Sequence, residues 1–251
     1  MLDPLAIRLL EERSFNAWPA LETLFYDGWI LRFANGYTRR PNSINPLYSS
    51  TLPLDEKIAY CEQVYMAYGQ DAVFRLTDAA QPADLDAALE RAGYVASEPV
   101  SVQVAEMSPL DPSLAVEPDT IQTTLTPEWI DHFCALNPAV ARHRGTMTAM
   151  LSAILPKAAF ATIRQEGEVV AVGLGVLERG YLGLFDILVA QPARGQGIGR
   201  RLVGSLLAWG AANGATRSYL QVVSTNVPAL RLYQSYGFRE HYRYWYREKA
   251  R

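Results

Sequence analysis

Hydrophobic and polar positions alternate with two periods along this chain, and the alternation predicts a mixed α/β protein. In the second half, three strand-like runs, "AAFATIRQ", "EVVAVGLGVLE" and "YLGLFDILVA", precede a segment in which Leu202, Leu206 and Trp209 recur at helical spacing. A further strand, "SYLQVV", a helix, "VPALRLYQSYG", and a last strand, "EHYRYWYRE", follow. Upstream, Thr126 before Pro127 predicts the start of another helix. We therefore predict an α/β fold built around a mixed sheet.

The end of the first half repeats this order of elements. It reads "LDEKIAYCEQVYMAYG", "DAVFRL", "PADLDAALERAGY" and "VSVQVAEM", that is, helix, strand, helix and strand. The two helix ends "RAGY" and "SYGF" lie 144 residues apart, which favours an internal duplication. Between the halves, "MSPLDPSLAVEPD" holds three prolines and no periodicity, as is typical of a linker. We predict two domains, 1–111 and 112–251.

Composition narrows the range of functions. The net charge of −3 argues against a nucleic-acid binder, which would carry a basic excess. No apolar run approaches the roughly 18–20 residues that cross a bilayer, and the N-terminus does not resemble a signal peptide, so we expect a cytoplasmic protein without a membrane partner. Cys61 and Cys134 both fall in helical patterns, which favours free thiols over a disulfide. The three histidines lack ligand spacing, so we expect no metal site.

One segment, "DILVAQPARGQGIGRRLVGSLLAW", is unusual because glycine alternates with other residues where a strand gives way to a helix. Gly195, Gly197 and Gly199 do not match the dinucleotide motif, which needs G-x-G-x-x-G, and a P-loop lysine is absent. Each glycine costs roughly 0.5–1 kcal/mol of conformational freedom at a helix start. Bare amides at a helix N-terminus suit a phosphate group. Three arginines surround them: Arg194, Arg200 and Arg201. A plain connection beside a solvated arginine face is the alternative.

At this point the sequence resembles the GNAT superfamily of acyl-CoA-dependent N-acyltransferases. Its Q/R-x-x-G-x-G/A signature is matched by "RGQGIG" at 194–199. Its second block, N-x-x-A-x-x-L-Y-x-x-x-G-F, is matched at six positions: Asn226, Ala229, Leu232, Tyr233, Gly237 and Phe238. The resemblance covers roughly residues 118–248. The first half looks like the degenerate first copy of bacterial tandem GNAT proteins, because "NPLYSSTLPLDEK" stands where the second half has its glycines.

The resemblance implies acetyl-CoA as co-substrate and assigns residues to it. The pyrophosphate would lie on the loop and its flanks: Arg194, Gly195, Gln196, Gly197, Ile198, Gly199 and Arg200. Leu188 and Val189 would offer backbone groups to the pantetheine arm, as if it were an added strand, and both can also be core residues. Asn226 would point toward CoA while it caps its own helix.

The implied reaction is a direct transfer of an acyl group, most often acetyl, to a primary amine. Tyr233 is the candidate general acid, because a phenol with a pKa near 10 suits a thiolate leaving group of roughly 8–9; a merely packed aromatic is the alternative. Asp186, a lone carboxylate in the apolar stretch "LGLFDILV", is the candidate base or a binder of a cationic acceptor. A rim residue, a structural salt bridge or an ordered water in place of the base remain open.

The acceptor is not determined by the sequence. Arg39 and Arg40 in "GYTRRPNSINP" would bind a carboxylate or phosphate of the substrate, or they are simply solvated. A small-molecule amine and a peptide both remain open as acceptors, as do the acyl chain preference and the oligomeric state. A catalytically inactive acyl-CoA-binding regulator is the alternative from another functional class.

Overall fold

The computed structural model describes residues 3–107 and 121–249 and divides them into two compact units. The described residues up to Ser101 and those from His241 onward form the first unit, and those from Val102 to Glu240 form the second. The boundary that we predicted near residue 112 falls within 108–120, outside the described residues, and stays a prediction. The last strand of the chain belongs to the first unit, an arrangement that a single boundary along the sequence cannot express.

The described residues contain seven α-helices and twelve strands, joined by loops and short 3₁₀ turns. The helices are α1 (Pro4–Ala17), α2 (Leu54–Ala67), α3 (Leu85–Arg91), α4 (Pro127–Leu136), α5 (Arg144–Ser152), α6 (Ile198–Ala212) and α7 (Val227–Gln234). The strands are β1 (Glu22–Tyr26), β2 (Trp29–Phe33), β3 (Ile44–Asn45), β4 (Val73–Thr77), β5 (Val95–Ala96), β6 (Val100–Glu106), β7 (Ile121–Gln122), β8 (Lys157–Gln165), β9 (Glu168–Glu178), β10 (Tyr181–Val189), β11 (Arg217–Val223) and β12 (Arg239–Glu248). None of the helices in these ranges has the length and apolar character needed to cross a membrane.

The sheet of the first unit begins with two antiparallel pairings, β1 with β2 and β2 with β3. β3 then pairs in parallel with β4, and β4 pairs antiparallel with β12. Helix α2 connects β3 to β4, as a parallel pair requires a crossover. The core beneath this sheet is aromatic: the Trp29 ring meets Phe74 edge-on, and Phe74 meets Tyr94 edge-on.

The second unit uses the same order of elements. β7, β8, β9 and β10 pair antiparallel in sequence, and β10 then pairs in parallel with β11 after the crossover helix α6. On the side of β11 that faces away from β10, β11 is hydrogen-bonded to β6. The first residues of α2 and α6, Leu54 and Ile198, lie 144 residues apart, the same offset as the two helix-end motifs. This repeat agrees with the predicted α/β fold around a mixed sheet, built from two units that share one order of elements.

Helix α6 packs closely onto the sheet of the second unit. Leu202 and Leu206 are fully buried, as their helical spacing predicted, while Trp209 is half-buried. Gly210 is needed here because a Cβ at its position would lie 2.6 Å from a Leu182 methyl group. This close packing positions the start of α6 on the sheet. The glycine-rich segment lies at that start.

A buried ion pair holds the first unit together. Glu11 of α1 is paired with Arg75 of β4, and both side chains are almost completely buried. The Tyr242 hydroxyl of β12 donates a 2.5 Å hydrogen bond to Glu11, and the Arg75 guanidinium lies 3.7 Å from the Tyr244 ring centroid. A helix, a central strand and the C-terminal strand therefore converge on one carboxylate.

Replacing Glu11 by Leu should lower the free energy of unfolding by about 3–5 kcal/mol, because Arg75 would be left buried without its counter-charge. The double variant Glu11→Leu/Arg75→Met should recover most of this loss, since no buried charge remains. The matched control is Arg39→Met, which removes the exposed pair with Glu248 and should cost less than about 1 kcal/mol. Urea unfolding measures all three, and a Glu11→Leu variant as stable as the control would contradict the prediction.

Candidate active site

The parallel pair β10 and β11 separates after four residue pairs. Its register extends from Tyr181 opposite Arg217 to Leu184 opposite Leu220, and no pairing follows. β10 instead continues along β9 after a bulge between Phe185 and Leu188. The carboxyl ends of β10 and β11 are therefore not hydrogen-bonded to each other, and this is the edge at which α/β sheets commonly bind ligands.

Asp186 lies in this bulge. It is half-buried, with a φ of 49°, a left-handed conformation that non-glycine residues seldom adopt. The other four non-glycine residues with positive φ in the described chain all lie in turns. Backbone strain of this kind is typical of functional positions, and here it lies inside a strand, next to the point where two strands part.

The glycine-rich segment presents its backbone to solvent. Gly195 and Gly197 are exposed and have φ values of 75° and 79°, and a Cβ at either position would contact nothing within 4 Å. Gly197 is the N-cap of α6 and offers no side chain to cap it. Within the described ranges, no group accepts a hydrogen bond from the N–H groups of residues 195–200, and the helical pattern begins with Arg201 N–H to Gly197 O at 3.0 Å.

Arginine side chains around this segment connect it to neighbouring elements and give it a positive charge. Arg194 Nε donates to the Val189 carbonyl at 3.1 Å, which joins the segment to the end of β10. Arg200 Nη1 donates to Ser235 Oγ at 2.8 Å. As far as the described residues extend, no carboxylate is ion-paired with Arg194, Arg200 or Arg201. Cations without a counter-charge beside free N–H groups are suited to an anion.

Helix α7 brings the candidate acid to the same region. A Cβ at Gly199 would lie 3.4 Å from Leu232 and 3.6 Å from Val189, so the segment, β10 and α7 meet here. Tyr233, next to Leu232, is 8% exposed, and its ring lies edge-on to Phe238 at 5.9 Å. Burial raises the pKa of Tyr233 to about 12. Its hydroxyl makes no hydrogen bond to the described part of the chain and is therefore a protonated, unused donor.

Asn226 begins α7 as the sequence predicted. Its Oδ1 accepts the N–H of Ala229 at 3.2 Å, which confirms the N-cap. Beside α7 is a cavity of about 590 Å³. Its lining residues are Gln103, Leu230, Gln234, Gly237, Phe238, Arg239 and Glu240. Tyr233 is not one of them, so this cavity is not formed around the phenol.

The other sequence candidates lie elsewhere. Arg39 is ion-paired with Glu248 at 2.8 Å, and the Arg40 guanidinium lies 5.1 Å from the Trp18 ring centroid, both within the first unit. The two cysteines are free thiols in helices, as predicted. Burial raises the pKa of Cys61 to about 12, which leaves it protonated and poorly nucleophilic.

Helix α2 of the first unit starts at the position equivalent to the start of α6, but its first residues are not glycines. At the offset of 144 residues, Pro53 stands in place of Gly197, and Asp55 in place of Gly199. The two helix ends also correspond, because Tyr94 N–H bonds to Leu89 O as Phe238 N–H bonds to Tyr233 O. Leu89 therefore occupies the position of Tyr233, and the first unit has no phenol there. The 144-residue offset places Leu89 opposite Tyr233, so this difference can be found from the sequence alone.

An internal carboxylate occupies the amides that precede α2. Asp27, in the turn between β1 and β2, accepts hydrogen bonds from the N–H groups of Thr51 and Leu52, each at 2.9 Å. Lys57 Nζ, fully buried, lies 3.1 Å from the same carboxylate. The Leu52 and Thr51 hydrogen bonds hold the pKa of Asp27 far below its usual range. A side chain thus holds the anion position in the first unit, and these amides are no longer available to a ligand.

Comparison with known proteins agrees with the geometry. A family described as "Probable histone acetyltransferase Rv0428c C-terminal" matches residues 5–247. An uncharacterized N-acetyltransferase, YobR of Bacillus subtilis, is 30% identical over 249 residues, covering 94% of this chain and 98% of that protein. The probable histone acetyltransferase Rv0428c of Mycobacterium tuberculosis is 29% identical over 250 residues, covering 94% and 72%.

Solved structures share the fold. A GCN5-related N-acetyltransferase from Kribbella flavida superposes with a TM-score of 0.69 at 12% identity, covering 97% of this chain and 95% of that one. A tandem GNAT protein from the clavulanic acid biosynthesis pathway superposes with a TM-score of 0.61 at 14% identity, covering 78% and 70%. Both likenesses extend over most of this chain and concern the fold alone.

The Asp27 contacts predict a pH-dependent stability. A carboxyl whose pKa is lowered in the folded state stabilises the fold above its unfolded pKa of roughly 4, and this contribution is lost as the pH falls. Wild type should therefore melt at a higher temperature than Asp27→Asn at pH 7, and the difference should shrink between about pH 5 and pH 2. Thermal unfolding followed by circular dichroism measures it, with Asp78→Asn, at an exposed carboxylate of the same unit, as the control. A difference that does not change with pH would contradict the role of the charge.

Proposed function

Because the chain belongs to the GCN5-related N-acetyltransferases, we propose that it transfers an acetyl group from acetyl-CoA directly to a primary amine. The observation that carries the choice of donor is the row of N–H groups at residues 195–200, which lack acceptors in the described chain. A pyrophosphate fits there because the helix start is partly positive and Gly195 and Gly197 leave open space above the backbone. The cytoplasmic location expected from the sequence is part of this proposal.

The donor would be held by backbone more than by side chains. Amides from Gln196 to Arg200 hold the pyrophosphate, and the three surrounding arginines add charge. Leu188 and Val189 lie on β10 where β11 no longer pairs with it, so their strand can accept the pantetheine arm as an extra strand. Acetyl-CoA, when bound, supplies the activated acyl group as a thioester.

Tyr233 would return a proton to the departing thiolate. Its hydroxyl is protonated and unused, as this role requires. The sequence expectation of a phenol near pKa 10 changes, since burial raises the pKa to about 12. The same desolvation also disfavours the charged thiolate and raises the pKa of the CoA thiol. The difference in pKa between Tyr233 and that thiol therefore grows less than burial of Tyr233 alone would make it.

Asp186 is the proposed base, either by direct contact with the amine or through an ordered water. Its half-buried carboxylate belongs to the bulge at which β10 leaves β11, on the same strand as Leu188 and Val189. A negative charge at this place also favours a cationic amine as the incoming acceptor. In this scheme neither cysteine takes part, because no acyl-enzyme is formed.

Two acceptor classes are compatible with this chemistry, small amines and the lysines or N-termini of peptides. One relative is named a probable histone acetyltransferase, which makes a protein amine worth testing. An acceptor panel of amino acids, polyamines, aminoglycosides and peptides, read by release of free thiol from acetyl-CoA, distinguishes them. Binding of acetyl-CoA without thiol release on any acceptor would favour the inactive regulatory protein instead.

Replacing Gly197 by Leu should lower the affinity for CoA by on the order of 100-fold, because the side chain would fill the space over the amides. The matched control is Gly214→Leu at the other end of α6. Gly214 has a φ of 91° and the same open space, so both variants carry similar backbone strain. Calorimetric titration with CoA measures the difference. Equal affinity in the two variants would refute the anion site.

The variant Tyr233→Phe should lower kcat by about 100-fold or more and leave the affinity for CoA nearly unchanged. Steady-state kinetics and calorimetry give the two quantities, with Tyr60→Phe, an exposed phenol in the first unit, as control. With a pKa of about 12, Tyr233 should cause no loss of wild-type activity below roughly pH 11. Full activity of Tyr233→Phe would remove its assigned role.

A further inference from the structure

Strand β11 carries one serine, Ser218, and a second, Ser224, follows it directly, and the two differ in their surroundings. Ser218 is fully buried, and its Oγ donates a 2.8 Å hydrogen bond to the Leu182 carbonyl of β10. Ser224 comes right after Val223, the last residue of the strand. Its Oγ is also buried, yet it has no hydrogen-bond partner within the described residues. Buried hydroxyls nearly always have a partner, so the unpartnered Ser224 hydroxyl is exceptional.

The path of β10 explains the difference. Ser218 lies directly opposite Leu182, in the part of β11 that β10 accompanies. The pairing ends at Leu184 and Leu220, and β10 then follows β9 alone. Ser224 lies beyond that point, so no carbonyl of β10 is available to it. Its hydroxyl is therefore a buried, unpartnered donor in a stretch of chain that β10 no longer accompanies.

A ligand that lies along this edge as an extra strand would supply the missing carbonyl. The pantetheine arm of CoA is an extended chain with two amide groups, so it carries carbonyl oxygens as a peptide strand does. We propose that Ser224 donates a hydrogen bond to a carbonyl oxygen of the pantetheine arm, a contact that rests on the proposed function. In the free protein the hydroxyl is then an unfavourable feature that ligand binding relieves. Ser224 is thus a binding and positioning residue for the acyl donor.

Two probes separate this contact from others in the site. CoA contains the pantetheine arm, whereas adenosine 3′-phosphate 5′-diphosphate keeps the pyrophosphate and lacks the arm. Ser224→Ala should bind CoA about threefold to tenfold more weakly than wild type, the usual effect of one hydrogen bond, and should bind the nucleotide unchanged. Thr225→Ala, the exposed neighbour, is the matched control and should bind both probes as wild type does.

Stability of the free protein gives a second, independent readout. Ser224→Ala should melt at the same temperature as wild type or higher, because it removes a buried hydroxyl that has no partner. Ser218→Ala should melt about 2–4 °C lower, because it removes a satisfied one and leaves the Leu182 carbonyl without it. A melting temperature of Ser224→Ala as low as that of Ser218→Ala would show a structural role and overturn the inference.

The outcomes for CoA also distinguish the inference from the proposed function. If wild type binds CoA and Ser224→Ala binds it equally well, the Ser224 contact is wrong and the proposed function stands. If Ser224→Ala weakens both probes equally, the serine acts on the pyrophosphate site and the pantetheine contact is wrong. If wild type binds neither probe, the proposed donor is wrong, and the inference falls with it. A Ser224→Ala variant that fails to fold would likewise show a structural role and overturn the inference.

Discussion

The site depends on peptide groups that the fold leaves without partners. β10 and β11 stop sharing hydrogen bonds after Leu184 and Leu220, and α6 starts at a glycine that cannot cap it. Peptide groups at a helix start or at the edge of a strand have no partner within their own element, so a ligand can complete them. A pyrophosphate at one place and an extended amide chain at the other are complementary to these two sets of groups. The same backbone features thus define both the shape and the chemistry of the proposed acetyl-CoA site.

The tandem fold shows how little is needed to close such a site. In the first unit, the helix equivalent to α6 begins after a proline, and the nearby amides are bonded to the Asp27 carboxylate. Lys57, buried beside that carboxylate, neutralises it inside the protein. The electrostatic requirement of a helix N-terminus for an anion is therefore met in both units, by a side chain in one and by a proposed ligand in the other. One fold serves as a scaffold in the first case and as a candidate active site in the second.

The sequence predicted the second unit well because its elements are long and periodic. The strand "EVVAVGLGVLE" matches β9, and the helix predicted to start after Thr126 begins at Pro127 with Thr126 as its cap. The bulge at Asp186 could not be predicted, because a register shift is a property of the pairing with a neighbouring strand, here β9, and not of the local sequence. The Asp27 contacts were not predicted either, because they join residues about 24 positions apart through a carboxylate in a turn. Tyr233 was found as a residue, whereas its raised pKa required knowledge of its burial.

The C-terminal strand has a consequence for how the protein is made. Domains generally fold one after another as they leave the ribosome, the N-terminal one first. Here the first unit includes β12, whose Tyr242 reaches Glu11 and whose Arg247 donates to Asp86. During translation, the nascent first unit must therefore wait, with the edge of β4 uncovered, until the chain beyond residue 240 has been synthesised. Order of synthesis and order of completion are inverted, so the unit that begins first on the ribosome is finished last.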